Sequence, residues 1–333
     1  MKIIDVYGFG NALVDMVFEV EDQFFTDNDL KKGFMTLADH QQQQKILDVL
    51  KEKYGLIKRA GGGSAANTMY ALSQFGATGY YSCKVANDEP GDFFMEQLGQ
   101  FRIETNLSVA RESGTTGRCL IMVSPDAERT MLTFLGISES VSSNELDFDA
   151  LIQSKYLYIE GYLVTSDSAR AAVIEAKKIA NENDVMTAMT FSDPSMLEFF
   201  KDGITEIMGS GVDLLFCNER EAMLWTGEDD LQAACEKLQN DATQFAVTRG
   251  EKGALLYDGE KYIDIAPHPV EAIDTNGAGD MFAGAFLFAI THGCDFETAG
   301  NLASLASSSL VAVFGPRLEP DRHGELLGEV GIG

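Results

Sequence analysis

Basic residues are scarce in this 333-residue chain. It carries 25 Lys and Arg against 52 Asp and Glu, which gives a formal net charge of -27. Nucleic-acid binding depends on neutralising backbone phosphates with Lys and Arg, so this balance argues against DNA or RNA as a partner. A phosphorylated small molecule is compatible with the charge, provided that backbone amides, a few basic side chains and a divalent cation help to bind it.

Cysteines, histidines and long apolar runs are also rare. The four histidines are dispersed, so no zinc-site spacing appears. No segment approaches the roughly 20 apolar residues of a membrane span, and Asp5 follows the N-terminus too closely for a secretory signal. We therefore expect a cytoplasmic protein with no membrane partner. The five cysteines form no C-x-x-C pair, so we expect them to be reduced. They are Cys83, Cys119, Cys217, Cys235 and Cys294.

Two common nucleotide-binding signatures are missing as well. No G-x-x-x-x-G-K-[ST] string occurs, which excludes a P-loop of the Walker type. Gly8 and Gly10 form a lone G-x-G, and the third glycine of the dinucleotide fingerprint does not follow at the required spacing. The sequence therefore does not indicate a dehydrogenase.

The chain does contain a regular alternation of short apolar runs and helical stretches. Runs such as IIDVYGFG, KYLYIEGYL, DLLFCNE and QFAVTRG read as buried strands. This alternation predicts one three-layer α/β/α domain over residues 1–333, built on a largely parallel central sheet with ligands beyond the C-terminal ends of its strands. Helical spacing is found over residues 64–75, 167–181, 195–208, 219–225 and 229–240.

Two stretches interrupt the alternation. Residues 13–37 and 103–136 show strand and turn patterns without a long helix. We predict that they build a small β-sheet that projects from the main domain and acts as a lid. The alternative is that they are ordinary β-excursions at the edge of the central sheet.

The segment DTNGAGDMFAGAF contains the strongest chemical signal. Backbone N–H groups of Gly277, Ala278 and Gly279 at the start of a helix could converge on developing negative charge, and Asp280 follows directly. Phosphoryl transfer to a hydroxyl needs such an anion hole together with a base that accepts the hydroxyl proton. The alternative is that Asp280 only caps the helix and the glycines only pack.

Two earlier segments are suited to bind hydroxyl groups. RAGGGSAAN places glycines before a helix that Ser64 could cap, and GFGNALVD places a carboxylate after the first strand, where it could accept bonds from vicinal hydroxyls. Each also has a structural reading, as a capped flexible loop and as a solvated acid. The predicted substrate contacts are Asn11, Asp15, Gly62, Gly63, Ser64 and Asn67.

Two later segments are suited to bind a nucleotide. In CNEREA, Asn218 and Glu221 lie three residues apart on one helical face, a pairing that suits Mg²⁺ bound through water. In AVTRGEKG, Thr248, Gly250 and Gly253 form a turn through which the backbone could reach phosphates or ribose.

Together these five segments resemble the ribokinase-like carbohydrate and nucleoside kinases, also called the PfkB family, over nearly the whole chain. The resemblance implies a three-layer α/β domain with a β-sheet lid, ATP as phosphoryl donor and Mg²⁺ as helper. It implies that Asp280 is the catalytic base and that Gly277, Ala278 and Gly279 line the anion hole. It also implies that Asn301 borders the adenine and that Asp274 could take part in a K⁺ site.

The substrate prediction depends on motif spacing. GFGNALVD and AGGGSAAN look more like the adenosine kinase branch than like ribokinases, so we expect transfer to the 5′-hydroxyl of an adenosine-like nucleoside. A sugar kinase acting on a hexose or pentose is the alternative, and a silent binding protein on the same fold is a remote third. Monomer and homodimer through the lid both stay open.

Two further groups on the proposed lid could contact ligands. Arg129 could reach phosphate or substrate, although a surface arginine is the simpler interpretation. Phe18, Phe34 and Phe134 could stack on a base, but phenylalanines at this spacing are more often core residues, so none of them is assigned.

Overall fold

The computed structural model describes residues 2–99, 102–108 and 111–332. Its strands are β1 Ile4–Phe9, β2 Leu13–Glu19, β3 Met35–Leu37, β4 Lys58–Gly62, β5 Gly79–Ser82, β6 Ile103–Thr105, β7 Thr116–Val123, β8 Arg129–Gly136, β9 Ser154–Glu160, β10 Met186–Thr190, β11 Val212–Asn218, β12 Ala242–Thr248, β13 Ala254–Tyr257 and β14 Tyr262–Ile265. Its α-helices are α1 Asp22–Asp27, α2 His40–Lys53, α3 Ser64–Phe75, α4 Glu89–Leu98, α5 Phe148–Ile152, α6 Asp167–Glu182, α7 Pro194–Phe199, α8 Lys201–Met208, α9 Glu219–Thr226, α10 Leu231–Leu238, α11 Ala278–Thr291, α12 Phe296–Val311 and α13 Pro320–Val330.

Nine strands form the central sheet in the order β14-β13-β12-β11-β10-β9-β1-β5-β6. Every pair from β12 to β6 is parallel, and only β13 and β14 add antiparallel pairs at one edge. The strands are apolar on both faces because helices cover both: Leu215 packs into one core cluster, while Leu214 and Phe216 pack into the other. The predicted three-layer α/β/α fold with a largely parallel sheet is confirmed.

A second, five-stranded sheet has the order β3-β8-β7-β2-β4. The alternation of β2 divides its side chains between two faces. On one face Met16 and Phe18 pack under Phe24 of α1 and Leu47 of α2. The other face looks toward the central domain. This sheet therefore has its own small core on one side and forms a wall on the other.

The structure corrects the predicted boundaries of this second sheet. Ile103–Thr105 pairs with β5 in the central sheet, because it completes a strand–helix–strand crossover through α4. Lys58–Gly62, which carried no strand prediction, pairs antiparallel with β2 and forms one edge of the second sheet. A short alternating run shows that a strand exists, but it does not show which sheet the strand joins.

Smaller differences concern helices. The predicted helix over 195–208 is divided at Phe200, whose ψ of 24° ends α7 before α8 begins. The predicted lid segment 13–37 contains the six-residue helix α1. None of the helices in the described ranges is long and apolar enough to cross a bilayer.

Candidate active site

One large cavity of about 920 Å³ lies between the C-terminal edge of the central sheet and the inner face of the second sheet. This is the edge at which a parallel sheet of this kind binds ligands. Fourteen of the residues predicted for the site line it together: Asn11, Asp15, Gly63, Ser64, Asn67, Asn218, Glu221, Thr248, Gly250, Gly253, Gly277, Ala278, Gly279 and Asp280. The other three predicted residues, Gly62, Asp274 and Asn301, do not line it.

The start of α11 presents backbone N–H groups to this cavity. Gly277 has φ 77°, and a Cβ there would lie 2.8 Å from Cα of Pro316, so only glycine suits the turn. Ala278 N–H donates to Thr275 O at 3.3 Å, whereas the N–H groups of Gly277 and Gly279 have no acceptor within the described residues. Two of the three predicted anion-hole donors are therefore unengaged.

Asp280 lies in the first turn of α11 and is held by two side chains of α3. Ser64 Oγ donates to Oδ1 at 2.6 Å and Asn67 Nδ2 donates to Oδ2 at 3.2 Å. Burial raises the pKa of Asp280 to about 6, although both hydrogen bonds stabilise the ionised form and oppose the shift. A carboxylate with such a pKa can accept a proton near neutral pH.

Asn67 is itself held from behind by Arg317, a residue that sequence reasoning missed. Arg317 Nε donates to Asn67 Oδ1 at 3.0 Å, which turns the amide nitrogen of Asn67 toward Asp280. No motif marks Arg317, and the two partners lie 250 positions apart. Only the fold brings them together.

Asp15 projects from β2 into the cavity. Asp15 is buried, yet no group within the described residues donates a hydrogen bond to either of its carboxylate oxygens. Burial raises the pKa of Asp15 to about 7, and Arg317 opposes that rise. Gly62 acts through its missing side chain, because a Cβ there would lie 2.1 Å from the Asp15 carboxylate.

Glu160, at the end of β9, is a second residue that sequence reasoning missed. Its Oε1 accepts hydrogen bonds from the backbone N and Nδ2 of Asn11, at 2.7 and 2.9 Å, and its Oε2 accepts from Ala65 N at 2.7 Å. Burial raises the pKa of Glu160 to about 7 despite these donors. Glu160 therefore joins the loop after β1 to the start of α3. An acid at the end of the apolar run KYLYIE was the available signal.

Asn218 and Glu221 form a reciprocal cap at the start of α9. Asn218 Oδ1 accepts from Glu221 N, and Glu221 Oε2 accepts from Asn218 N, both at 2.8 Å. Glu221 is buried, which raises its pKa to about 7, and its Oε1 has no donor within the described residues. The predicted pair is therefore a helix cap that also faces the cavity.

The turn predicted to bind a nucleotide lies between β12 and β13. Thr248 ends β12, and the 3₁₀ turn Gly250–Lys252 leads to Gly253 and then into β13. Asn301 lies outside the cavity because the first turns of α12 pack on β13 and β14, where Gly300 faces Ile265. Ser304 and Ser308, further along the same helix, line the cavity instead.

Asp274 is buried behind the α11 turn. Its Oδ1 accepts from Asn276 N and its Oδ2 from Gly315 N, both at 2.8 Å. Both oxygens thus brace the backbone on either side of the predicted anion hole. A K⁺ site here would have to share these oxygens with the two N–H donors.

Arg129 enters the cavity from β8 of the second sheet. Its Nη1 lies 3.7 Å from Oδ2 of Asp193 on the main domain. Burial alone would lower the pKa of Arg129, but Tyr162 and Asp193 outweigh it and raise that pKa, so the guanidinium stays charged. Arg129 is therefore a cation of the site wall.

None of the three phenylalanines considered earlier lines the cavity. Phe18 packs under α1 and α2, Phe34 lies beneath the ammonium of Lys31, and Phe134 contacts the ring of His40. Besides Asp15, Arg129 and Thr133, the strands of the second sheet line the cavity with aliphatic and sulfur-containing side chains, among them Leu13, Met35, Cys119, Ile121, Met131 and Leu135.

Known proteins are similar to this chain in sequence and in fold. The adenosine kinase of Sinorhizobium meliloti is 32% identical, with a TM-score of 0.90 over 98% of this chain and 99% of its own. A probable sugar kinase from Rhizobium etli CFN 42 is 30% identical, with a TM-score of 0.94 over 100% of both chains. The adenosine kinase of Dictyostelium discoideum is 28% identical over 347 residues, 96% of this chain and 99% of its own. Together with the family model "pfkB family carbohydrate kinase", which matches residues 36–322, they confirm the resemblance: the chain belongs to the PfkB family of kinases, which transfer phosphate to an alcohol group.

Proposed function

We propose that this kinase transfers the γ-phosphoryl group of ATP to the ribose 5′-hydroxyl of a nucleoside, with adenosine as the first candidate. One observation carries the proposal: the Asp15 carboxylate, unpaired within the described residues, shares a cavity with Asp280 beneath an apolar wall. A vicinal diol offers the two donors that such a carboxylate lacks. A ribose whose 2′- and 3′-hydroxyls bind Asp15 directs its remaining primary hydroxyl, the 5′-hydroxyl, to Asp280.

The apolar wall favours a nucleoside over a bare sugar. Met35, Ile121 and Met131 face the cavity on the side of Asp15. A heterocyclic base gains from burial against such side chains, whereas sugar hydroxyls placed there would lose their hydrogen bonds to water. The names of the relatives from Sinorhizobium meliloti and Dictyostelium discoideum, both adenosine kinases, support this proposal. A sugar kinase is the second candidate, since the Rhizobium etli relative is described as a probable sugar kinase.

In the proposed reaction Asp280 accepts the proton of the attacking hydroxyl. A bond forms between that hydroxyl oxygen and the γ-phosphorus, the bond from the γ-phosphorus to the β–γ bridging oxygen breaks, and ADP leaves. The free N–H groups of Gly277 and Gly279 donate to the oxygens of the migrating phosphoryl group. Arg129 adds positive charge from the second sheet, which as a lid would exclude water that competes for the phosphoryl group.

Kinases of this family use ATP and typically Mg²⁺, and the residues at the cap of α9 fit such an ion. The described residues hold no group of three or more metal-ligating His, Cys, Asp or Glu side chains, so protein alone would not cage it. Asn218 and the free Oε1 of Glu221 would hold hydrated Mg²⁺ through its water ligands. When bound, the ion supplies charge neutralisation to the phosphates. Each oxygen of Asp274, the residue predicted for a K⁺ site, already accepts an N–H group, and the proposed reaction uses no K⁺.

The proposal is tested by ADP release from Mg·ATP with adenosine, 2′-deoxyadenosine, ribose and fructose. We expect adenosine to be turned over, and 2′-deoxyadenosine to lose about 10- to 150-fold in kcat/KM, the value of one hydrogen bond to a charged group. In Asp15→Ala that discrimination should largely vanish, while the exposed control Asp202→Ala keeps it. Turnover of fructose or ribose but of no nucleoside would establish the sugar kinase instead.

A further inference from the structure

The segment Gly315–Arg317 braces the active site from outside the cavity. Gly315 N–H donates to Asp274, Pro316 packs against the turn at Gly277, and Arg317 Nε donates to Asn67. Three successive residues thus contact Asp274 behind the proposed anion hole, Gly277 at its start, and the Asn67 amide that holds Asp280. No motif of the sequence analysis includes Arg317.

The guanidinium of Arg317 is buried in the protein interior and does not lie on the surface. Only 7% of the residue is exposed, and within the described residues neither Nη1 nor Nη2 has a hydrogen-bond partner. Its Cζ lies 4.8 Å from the centre of the Tyr70 ring, which covers one face. Burying a charged fork without filling its donors is costly, so the charge itself must be compensated nearby.

The compensating charges are the two carboxylates of the site. Burial lowers the pKa of Arg317 from its ordinary value, and Tyr70, Asp15 and Asp280 are among the groups that oppose this effect. The influence is reciprocal, since Arg317 lowers the pKa of both carboxyl groups. Apart from Arg317, the charged or titratable groups that interact with Asp280 are Asp15, Glu160, Tyr81, Tyr158, Tyr162 and Arg129.

We propose that Arg317 is a positioning residue for phosphoryl transfer. It fixes the Asn67 amide against Asp280, and it supplies the positive charge that Asp15 and Asp280 both face. The role rests on the proposed function, because it acts through Asp280 as the base. Arg129 also acts on Asp280 as a cation, and it comes from the second sheet. Arg317 belongs to the main domain, so its charge is present whatever the second sheet does.

A merely structural arginine and a positioning arginine differ in one measurable property. Loss of packing would lower thermal stability and the active fraction, and it would leave the pH at which the base ionises unchanged. Loss of a buried positive charge favours the protonated form of Asp280. Asp15 loses the same charge, so the acidic limb of kcat/KM, which reports both carboxyl groups in the free enzyme, should then move to higher pH.

The test is the pH profile of kcat/KM for Arg317→Gln, Arg317→Lys and the control Arg322→Gln, which lies nearby on α13. We expect the limb of Arg317→Gln to rise by about one pH unit, with kcat reduced about tenfold or more. Arg317→Lys keeps the positive charge but loses the planar guanidinium that donates to Asn67. Its acidic limb of kcat/KM should therefore stay near the wild-type pH while kcat still falls. The control should match wild type in both respects.

Two results would overturn the inference: an unchanged limb in Arg317→Gln, or an unchanged kcat in Arg317→Lys. The second variant decides the matter alone if the first does not fold. Asp280→Asn is measured beside them. If that variant keeps normal turnover, the proposed function fails; if it loses turnover while both Arg317 variants behave as wild type, only the role of Arg317 fails.

Discussion

Gly62 lies so close to Asp15 that one methyl group should disable substrate binding. A Cβ at Gly62 would lie 2.1 Å from both Cγ and Oδ1 of Asp15 and 2.2 Å from Oδ2. Gly62 pairs with Leu13 in the β2–β4 ladder, which holds its backbone beside the strand that carries Asp15. The Asp15 carboxylate must therefore move by about 1.3 Å to reach ordinary contact at 3.4 Å.

That displacement is large compared with the tolerance of a hydrogen bond. A bond of about 2.8 Å stretched by this amount no longer exists. Losing one charge-assisted bond to a substrate hydroxyl costs about 1.5–3 kcal/mol, so we expect the KM for adenosine to rise about 10- to 150-fold in Gly62→Ala. The assay is ADP release with adenosine varied at saturating Mg·ATP, together with thermal unfolding to show that the variant is folded.

Two comparisons isolate the cause. Gly324→Ala is the matched control, because its Cβ would meet nothing within 4 Å in the helix α13, and we expect a wild-type KM. In the double variant Gly62→Ala, Asp15→Ala the first change should add little, since its target is gone. A wild-type KM in folded Gly62→Ala, or full additivity in the double variant, would refute the reasoning.

Three further predictions concern other parts of the site. Since burial raises the pKa of Asp15 to about 7 and that of Asp280 to about 6, and both must be ionised, kcat/KM should begin to fall below about pH 7 and fall more steeply below about pH 6; a flat profile down to pH 5 would contradict this. Glu160→Gln places an amide nitrogen against an N–H donor, so chemical unfolding should show a loss of about 1–3 kcal/mol, and unchanged stability would count against it. Asn218→Asp keeps the helix cap, so the melting temperature of this variant should equal that of the wild type while its KM for Mg·ATP changes. An unchanged KM would show that Asn218 caps the helix and does not help to bind Mg·ATP.

Local sequence was sufficient where a residue's role depends on its own segment. Gly277, Gly279 and the predicted base Asp280 lie within four residues, and a turn that opens a helix fixes how they face. The same holds for Asn218 and Glu221, which meet within one helical turn. For such groups the spacing along the chain already determines the geometry.

Sequence was insufficient where the partner lies far along the chain. Glu160 reaches Asn11 across 149 positions and Arg317 reaches Asn67 across 250, and each pairing depends on the complete fold. Asn301 does not line the cavity, whereas Ser304, one turn further along α12, does, because the packing of α12 on β13 and β14 decides where the cavity begins. The three-residue strand β6 was assigned to the wrong sheet for a similar reason.

The most direct test of Asp280 as the base is the variant Asp280→Asn, which preserves shape and the contact with Ser64. We measure kcat at saturating Mg·ATP and adenosine, and the adenosine Kd by titration calorimetry. The proposed mechanism predicts that kcat falls by about 10²- to 10⁴-fold while Kd stays within a few-fold of wild type. A kcat within a few-fold of wild type would contradict the assignment of Asp280.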